Sequence, residues 1–246
     1  MYRKGHFIID GKNSADYNLF IQRTPLIETP ARRVELRNAF GVHGGVPNDE
    51  RAYDNTEMQL LMFIDGTDAN HDRTDVDELL RNTGVFKEFI PYWDTDKIYY
   101  VMNMGKTQYE SPSWYGQKQA LQTTFTVKPY KYHRNTGGQN DRTFSSSATF
   151  NNPFSSVSQP LITIVGSGDA TLRVNGQSYL IQNITGSITV DCERYSTYRR
   201  HSSGFIENQN SKYRQKQYPI FTPGSNSVSV VGASSVTVQP RWRTLA

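Results

Sequence analysis

The apolar residues of this chain arrive in short stretches of period two, a spacing that fits strands. Ser227-Val228-Ser229-Val230-Val231 and Ser235-Val236-Thr237-Val238 set hydroxyls against valines, and Leu121-Gln122-Thr123-Thr124-Phe125-Thr126-Val127 alternates as cleanly. Successive side chains of a strand point to opposite faces, so this pattern builds one apolar and one polar sheet face. The abundant serines of the last strands therefore need no catalytic explanation.

The same reading extends along the chain. Phe7-Ile8-Ile9 is a strand closed by the turn formers Asp10-Gly11, and Tyr17, Leu19 and Ile21 fall on one face of a second strand. Thr29-Pro30-Ala31-Arg32-Arg33-Val34-Glu35-Leu36 interleaves charged and apolar residues, as an edge strand or an oligomer-facing strand would. Residues 41–47, with three glycines, read as a flexible loop before a strand over 58–64. Thr74, ahead of Asp75-Val76-Asp77-Glu78-Leu79-Leu80, predicts a helix that Thr74 caps, with acids at the positive end of the dipole and Gly84 as the stop. A further strand is predicted at 97–102.

Residues 133–147 are polar, rich in glycine and without period, and read as a linker. Strands resume at 161–165 and 170–174. Asn175-Gly176 follows, the strongest local hairpin signal because a tight turn needs positive φ at both central residues. Short strands separated by turns, with no good helix after the linker, predict a β-sandwich for the second part.

Charge and composition divide the chain at nearly the same place. Residues 1–127 hold 14 Lys/Arg against 18 Asp/Glu and residues 128–246 hold 13 against 5, so the parts carry −4 and +8. Serine rises from 3 before residue 136 to 18 after it, and all 5 methionines precede it. Two domains are expected, over residues 1–135 and 136–246. With 36% hydrophobic and 12% aromatic residues, the chain can build packed cores.

The longest apolar run, Leu60-Leu61-Met62-Phe63-Ile64, falls far short of the roughly 20 residues that cross a bilayer. Phe7-Ile8-Ile9-Asp10 is too soon interrupted to be a signal-peptide core, so a cytosolic site of synthesis is expected, with no membrane partner. The single cysteine, Cys192, excludes an internal disulfide and a thiolate metal cluster.

Motifs that invite a chemical reading fail on their spacing. Gly105-Lys106-Thr107 lacks the glycine a phosphate-binding loop needs five residues earlier, where Tyr100 stands, and no helix follows. Asp68-Ala69-Asn70-His71-Asp72 opens like a calcium loop, but Arg73 replaces the turn glycine and Leu79 the bidentate glutamate. His6, His43, His71, His133 and His201 form no metal-ligand pair and read as surface or loop residues. Cys192 ends a strand and reads as a small, partly buried residue. No catalytic residue, metal or cofactor is expected.

The basic residues Arg199, Arg200, Lys212, Arg214 and Lys216 concentrate in one polar stretch, read as an exposed loop that meets an acidic protein partner. A groove for single-stranded nucleic acid would spread its cations over a sheet face among aromatic rings, so no nucleic acid partner is expected. A carbohydrate-binding module acting on cell-surface polysaccharide is the alternative reading, since sugars stack on exposed rings and bond to Asn and Arg.

Several stretches together resemble the distal tail (Dit) proteins of long-tailed bacteriophages, the siphophages. In the first part these are Phe7-Ile8-Ile9-Asp10-Gly11-Lys12-Asn13-Ser14 and Thr29-Pro30-Ala31-Arg32-Arg33-Val34-Glu35. In the second they are Asn152-Pro153, Pro160-Leu161-Ile162-Thr163-Ile164-Val165-Gly166-Ser167-Gly168, Val174-Asn175-Gly176 and Ile188-Thr189-Val190-Asp191-Cys192-Glu193. Pro219-Ile220-Phe221-Thr222-Pro223-Gly224-Ser225-Asn226-Ser227-Val228 and the basic tail Pro240-Arg241-Trp242-Arg243-Thr244-Leu245 complete the set.

The resemblance implies a mainly β fold, with an N-terminal β-barrel-like belt domain carrying one short α-helix and a C-terminal galectin-like β-sandwich. It further implies a homo-hexameric ring at the virion tail tip, assembled in the host cytoplasm. Its partners would be the tail tube protein, the tail-tip hub or tail-associated lysin, and receptor-binding or baseplate proteins. On the residues themselves, Arg32, Arg33, Val34, Glu35 and Leu36 offer charge and apolar contact side by side and are the expected subunit interface. No inserted module is evident between the strands of the second domain.

Overall fold

The computed structural model describes residues 4–65, 69–81, 83–110, 118–135 and 137–246, with the side chains of residues 69–72 outside the description. The fold is mainly β with one short helix. It divides into two compact units, residues 1–131 with 245–246, and residues 132–244.

The first unit contains β1 (Phe7–Ile9), β2 (Lys12–Asn13), β3 (Leu19–Ile21), β4 (Arg32–Asn38), β5 (Gly45–Tyr53) and β6 (Thr56–Asp65). The helix α1 (Ala69–Leu80) follows, then β7 (Lys87–Pro91), β8 (Lys97–Asn103), β9 (Gln108–Tyr109) and β10 (Lys118–Val127). The chain passes into the second unit within β11 (Tyr130–His133). The main sheet of the first unit runs β2-β1-β7-β8-β10-β6-β3 and curls into a half-barrel.

Alternation sets its inner face. In β6, Met58, Leu60, Met62 and Ile64 are buried, and in β10 so are Leu121, Thr123, Phe125 and Val127. The register pairs Leu121 with Met62 and Phe125 with Met58, so opposite residues feed the same core.

Three local expectations for this unit are corrected. Tyr17 lies in a 3-10 turn over Ser14–Tyr17, so only Leu19 and Ile21 share the strand face. Asn13 drives that turn by accepting the Ala15 N–H on its side chain. Thr74 does not cap the helix, which begins at Ala69 and so places Thr74 inside it. The acids consequently sit away from the first turn and find side-chain partners: Arg73 lies 3.8 Å from Asp77, Arg81 lies 3.6 Å from Glu78, and the Tyr109 hydroxyl bonds Asp77. Val76, Leu79 and Leu80, at helical spacing, are buried in the core. Gly84 is not the stop either. The last carbonyls are satisfied from outside, by Asn103 Nδ2 donating to Leu80 O at 2.9 Å and Lys87 Nζ to Arg81 O at 3.0 Å.

The second unit contains β12 (Arg142–Phe144), β13 (Ser147–Asn152), β14 (Leu161–Val174), β15 (Gln177–Asp191), β16 (Ser196–Arg200) and β17 (Ile206–Asn208). β18 (Gly224–Val231) and β19 (Ser235–Gln239) follow, and the chain passes back to the first unit within β20 (Arg243–Leu245). The predicted short strands at 161–165 and 170–174 are one long strand, β14, which the expected turn, with Asn175 at φ 51° and Gly176 at φ 82°, joins to the similarly long β15. The predicted linker is not free either: it contains β12, which pairs with β19.

The length of β14 makes the architecture. Its first half pairs with β19 and its second half with β18, with Gly166 and Gly168 between. Ile162, Ile164, Leu172, Val174, Val228, Val230, Val236 and Val238 from both strand groups fall in one buried cluster, which makes the pair of groups a sandwich. Glycine is needed at Gly232, whose φ is 84° and where a Cβ would stand 2.3 Å from Asp169 O.

A buried charge pair ties the end of the chain to the sandwich. Asp191, 2% exposed, accepts from Arg241 at 2.7 Å and from the backbone N–H groups of Glu193 and Arg194. Arg194 reaches the same carboxylate only at 4.0 Å and is 81% exposed. Removing one partner of a buried pair strands the other charge. Arg241→Ala should therefore cost about 3–5 kcal/mol in urea denaturation of the full chain. Arg194→Ala should stay within about 0.5 kcal/mol of the parent; equal midpoints for the two variants would contradict this account.

Candidate interaction surfaces

β4 and β5 form a two-stranded sheet of their own, and all of β4 is exposed. Two-stranded hairpins are marginal by themselves in water, so what holds this one matters. At its base the Asp54 N–H donates to Ala31 O at 2.9 Å and the rings of Tyr53 and Tyr130 meet edge to face at 6.0 Å.

Ion pairs then run up its length. Arg32 grips Asp49 at 2.5 Å and bonds the Tyr53 hydroxyl, Arg33 meets Asp54 at 2.5 Å, and Arg37 meets Glu35 at 3.0 Å. The hydrogen bond from Arg32 holds the Asp49 carboxyl below the usual carboxylate range and raises the Arg32 guanidinium above its own. These groups lie at the surface, so each pair steers the hairpin's shape more than it adds stability.

The register sorts the remaining side chains by face. Val34 stands opposite Asp49, Leu36 opposite Pro47 and Asn38 opposite Gly45, while Glu35 and Arg37 share the other face. One face thus carries Val34, Leu36 and Pro47 beside Asp49 and Asn38, Val46 stands opposite Arg37 on the other, and beyond the strands, at the tip, Phe40 is fully exposed and Val42 half so. Of the five residues the sequence singles out here, Arg32, Arg33 and Glu35 already have partners within the hairpin. Val34 and Leu36, at 46% and 70% exposure, have their apolar surface in water. Phe40, Val42 and Pro47 were missed by sequence reasoning, which took residues 41–47 for a flexible loop; an apolar pair at a glycine-rich tip was the available signal.

The basic residues of the second unit are not gathered in one loop. Arg199 and Arg200 are consecutive in β16, on opposite faces of a hairpin with β17, Lys212 sits in a 3-10 turn, and Arg214 and Lys216 follow it. Arg199 pairs across to Glu207 and lies beside Gly186, whereas Arg200 stands opposite Ile206. Arg214 donates to Gln182 Oε1 at 2.6 Å.

The other motifs fall where they can do little chemistry. Gly105-Lys106-Thr107 lies between β8 and β9, so a strand and not a helix directly follows it. Asp68 and the side chains of Asn70, His71 and Asp72 lie outside the described residues. His6 and His133 are buried, not at the surface as expected; His133 stacks on Phe154 with ring centroids 3.5 Å apart. Cys192 is fully buried, and desolvation pushes its thiol well above the ordinary range. Among the described residues, no group of three or more His, Cys, Asp or Glu is placed to hold a metal, and no helix is long and apolar enough to cross a membrane.

The chain is thus a mainly β protein of two units, one with a freestanding amphipathic hairpin, the other with a buried charge pair and a basic edge. No family model matches its sequence, and no curated protein does. Among solved structures it is similar to the crystal structure of the Dit protein (gp 19.1) of phage SPP1, described as a paradigm of the hub adsorption apparatus in phages infecting Gram-positive bacteria. The TM-score is 0.67 at 15% identity, covering 96% of this chain and 98% of that one, so the two share a fold along nearly their whole lengths.

The thiol yields a direct check on the second core. Cys192 should be silent to Ellman's reagent in native buffer and react only at the rate of global unfolding. Prompt reaction of the native protein would mean that this core is open.

Proposed function

We propose that this chain is a distal tail (Dit) protein: a structural virion component that assembles as a hexameric ring at the tail tip and joins the tail tube to the adsorption apparatus. The observation that carries the reading is the shared fold with the SPP1 hub protein over 96% of this chain, joined to a hairpin that keeps an apolar face in water. Large exposed apolar patches mark sites of association. The work of such a protein is done by contact, and no reaction step is assigned to any of its residues.

The first unit, within residues 1–135, supplies the ring contact through the apolar face of β4–β5. A hairpin face meeting a different surface of the next subunit is a heterologous contact, and such contacts generate rings when the rotation closes. Arg32, Arg33 and Glu35 shape the hairpin, and Val34, Leu36 and Phe40 make the joint. The second unit, within residues 136–246, is a galectin-like sandwich that faces receptor-binding or baseplate proteins, with Arg199, Arg200, Lys212, Arg214 and Lys216 meeting acidic surface there. The tube protein and the tail-tip hub or lysin meet the two faces of the ring.

Light scattering of the full chain should give the mass of six copies. The double variant Leu36→Asp, Phe40→Asp should give folded monomers with the circular dichroism spectrum of the parent, because both residues are exposed in the single chain. Monomeric parent protein at high concentration, with virions that form normal tail tips without it, would refute the reading. A second outcome concerns the basic unit: capture of the baseplate partner should weaken steeply between low and high salt, since screening acts on exposed charge. Capture indifferent to salt would remove the basic residues from that contact.

A further inference from the structure

The outer face of β16–β17 carries a recess that shares Arg200 with the basic partner contact and is otherwise lined by residues that neither that contact nor the ring uses. Tyr198 stands opposite Asn208 and Arg200 opposite Ile206, so with Ser196 these side chains share one face. Arg194 and Asn210 complete the lining of a recess of about 250 Å³. Ordinary drug-sized sites run from about 300 to 1,000 Å³, so this one suits a single small unit.

Its polar groups are chiefly donors. Asn210 Oδ1 accepts the Thr197 N–H at 2.5 Å, and Asn208 Oδ1 accepts the Asn210 N–H at 2.9 Å. With both oxygens engaged by the backbone, what the two amides have left to offer is mainly N–H. The guanidiniums of Arg194 and Arg200 and the Ser196 hydroxyl add to the same side of the balance.

The positive charge is only weakly compensated. No carboxylate is among the described lining residues. Glu207 alternates to the opposite face, where His201 Nε2 lies 3.0 Å from it. Asp191 is already held by Arg241 at 2.7 Å, with Arg194 no nearer than 4.0 Å. A site of donors and cations wants an acceptor-rich anion, and guanidinium matches carboxylate and phosphate in a bidentate geometry. The partly exposed Tyr198 ring and half-exposed Ile206 supply an apolar surface beside those donors, as the C–H face of a sugar ring requires.

We propose that this recess binds one anionic saccharide unit, a sugar bearing a phosphate or a carboxylate, with its charge on Arg194 and Arg200 and its ring against Tyr198. This is a ligand site on each copy of the chain, separate from the apolar hairpin and overlapping the basic partner contact only at Arg200.

Calorimetric titration of the full chain at low salt would use glucose 6-phosphate, glucuronate, glucose, inorganic phosphate and a tetra-aspartate peptide. At least one of the two charged sugars should saturate the protein at a Kd about tenfold or more below those of glucose, phosphate and the peptide, and which of the two does so names the charge the site reads. Arg200→Ala and Asn208→Ala should each weaken that binding about fivefold or more, the first with unchanged melting temperature, while Arg173→Ala on β14 should leave it as it was. Absence of saturation, binding of phosphate or the peptide as tight as that of the sugars, or indifference to Arg200→Ala and Asn208→Ala would each overturn the proposal. Ring mass is read separately by light scattering, so failure here and failure of the tail-tip reading are told apart.

Discussion

The pairing of β14 with β15 is the constraint on which the second unit depends. Strands of 14 and 15 residues close on the tight turn at Asn175-Gly176, and every further strand of the sandwich is placed by them: β18 and β19 lie along β14, and β16 lies along β15. Side chains alternate with period two, so a slip of one residue would turn Ile162, Ile164, Leu172 and Val174 out of the core together. The turn sets that register for residues 170–174, and the irregularity between Gly168 and Ala170 resets it for residues 161–168. At the bend, Gly166 faces Gly186 across the ladder, which lets a single hairpin serve both layers without side chains meeting at the corner.

Much of this was legible in the sequence because alternation and turn chemistry are local. The Val and Ser ladder of β18 and β19 and the Asn-Gly turn report their geometry in a handful of neighbouring residues. The start of α1 was not legible, since Thr74 satisfies the local rule for a cap while the burial of Val76, Leu79 and Leu80 holds a longer helix in place. The β4–β5 hairpin hid for a different reason: its partnership of Arg32 with Asp49 spans residues far apart in the chain, and its tip carries the glycines of a loop. The recess on β16–β17 was beyond sequence reasoning altogether, because Arg200 and Asn208 become neighbours only through cross-strand pairing, and the free donors of Asn208 and Asn210 depend on which backbone N–H each oxygen meets.

Charge does three separate tasks in this chain. In the β4–β5 hairpin it is settled internally, so that cations and anions cancel along a solvated arm. Between Asp191 and Arg241 it is buried and works as a clasp, where the loss of either member leaves a cost in low dielectric. Around Arg194 and Arg200 it is left open. The excess of +8 over residues 128–246 thus resolves into particular side chains with particular surroundings, and only some of them are free to attract anything.

The internal settlement of charge in the hairpin has a thermal corollary. With Arg32, Arg33 and Glu35 already matched, whatever covers Val34, Leu36 and Phe40 is drawn there by water's aversion to hydrocarbon, a force that fades toward freezing. A joint made on that face would be firm in warm concentrated brine and would loosen in dilute buffer on ice, the reverse of what cold storage is meant to preserve.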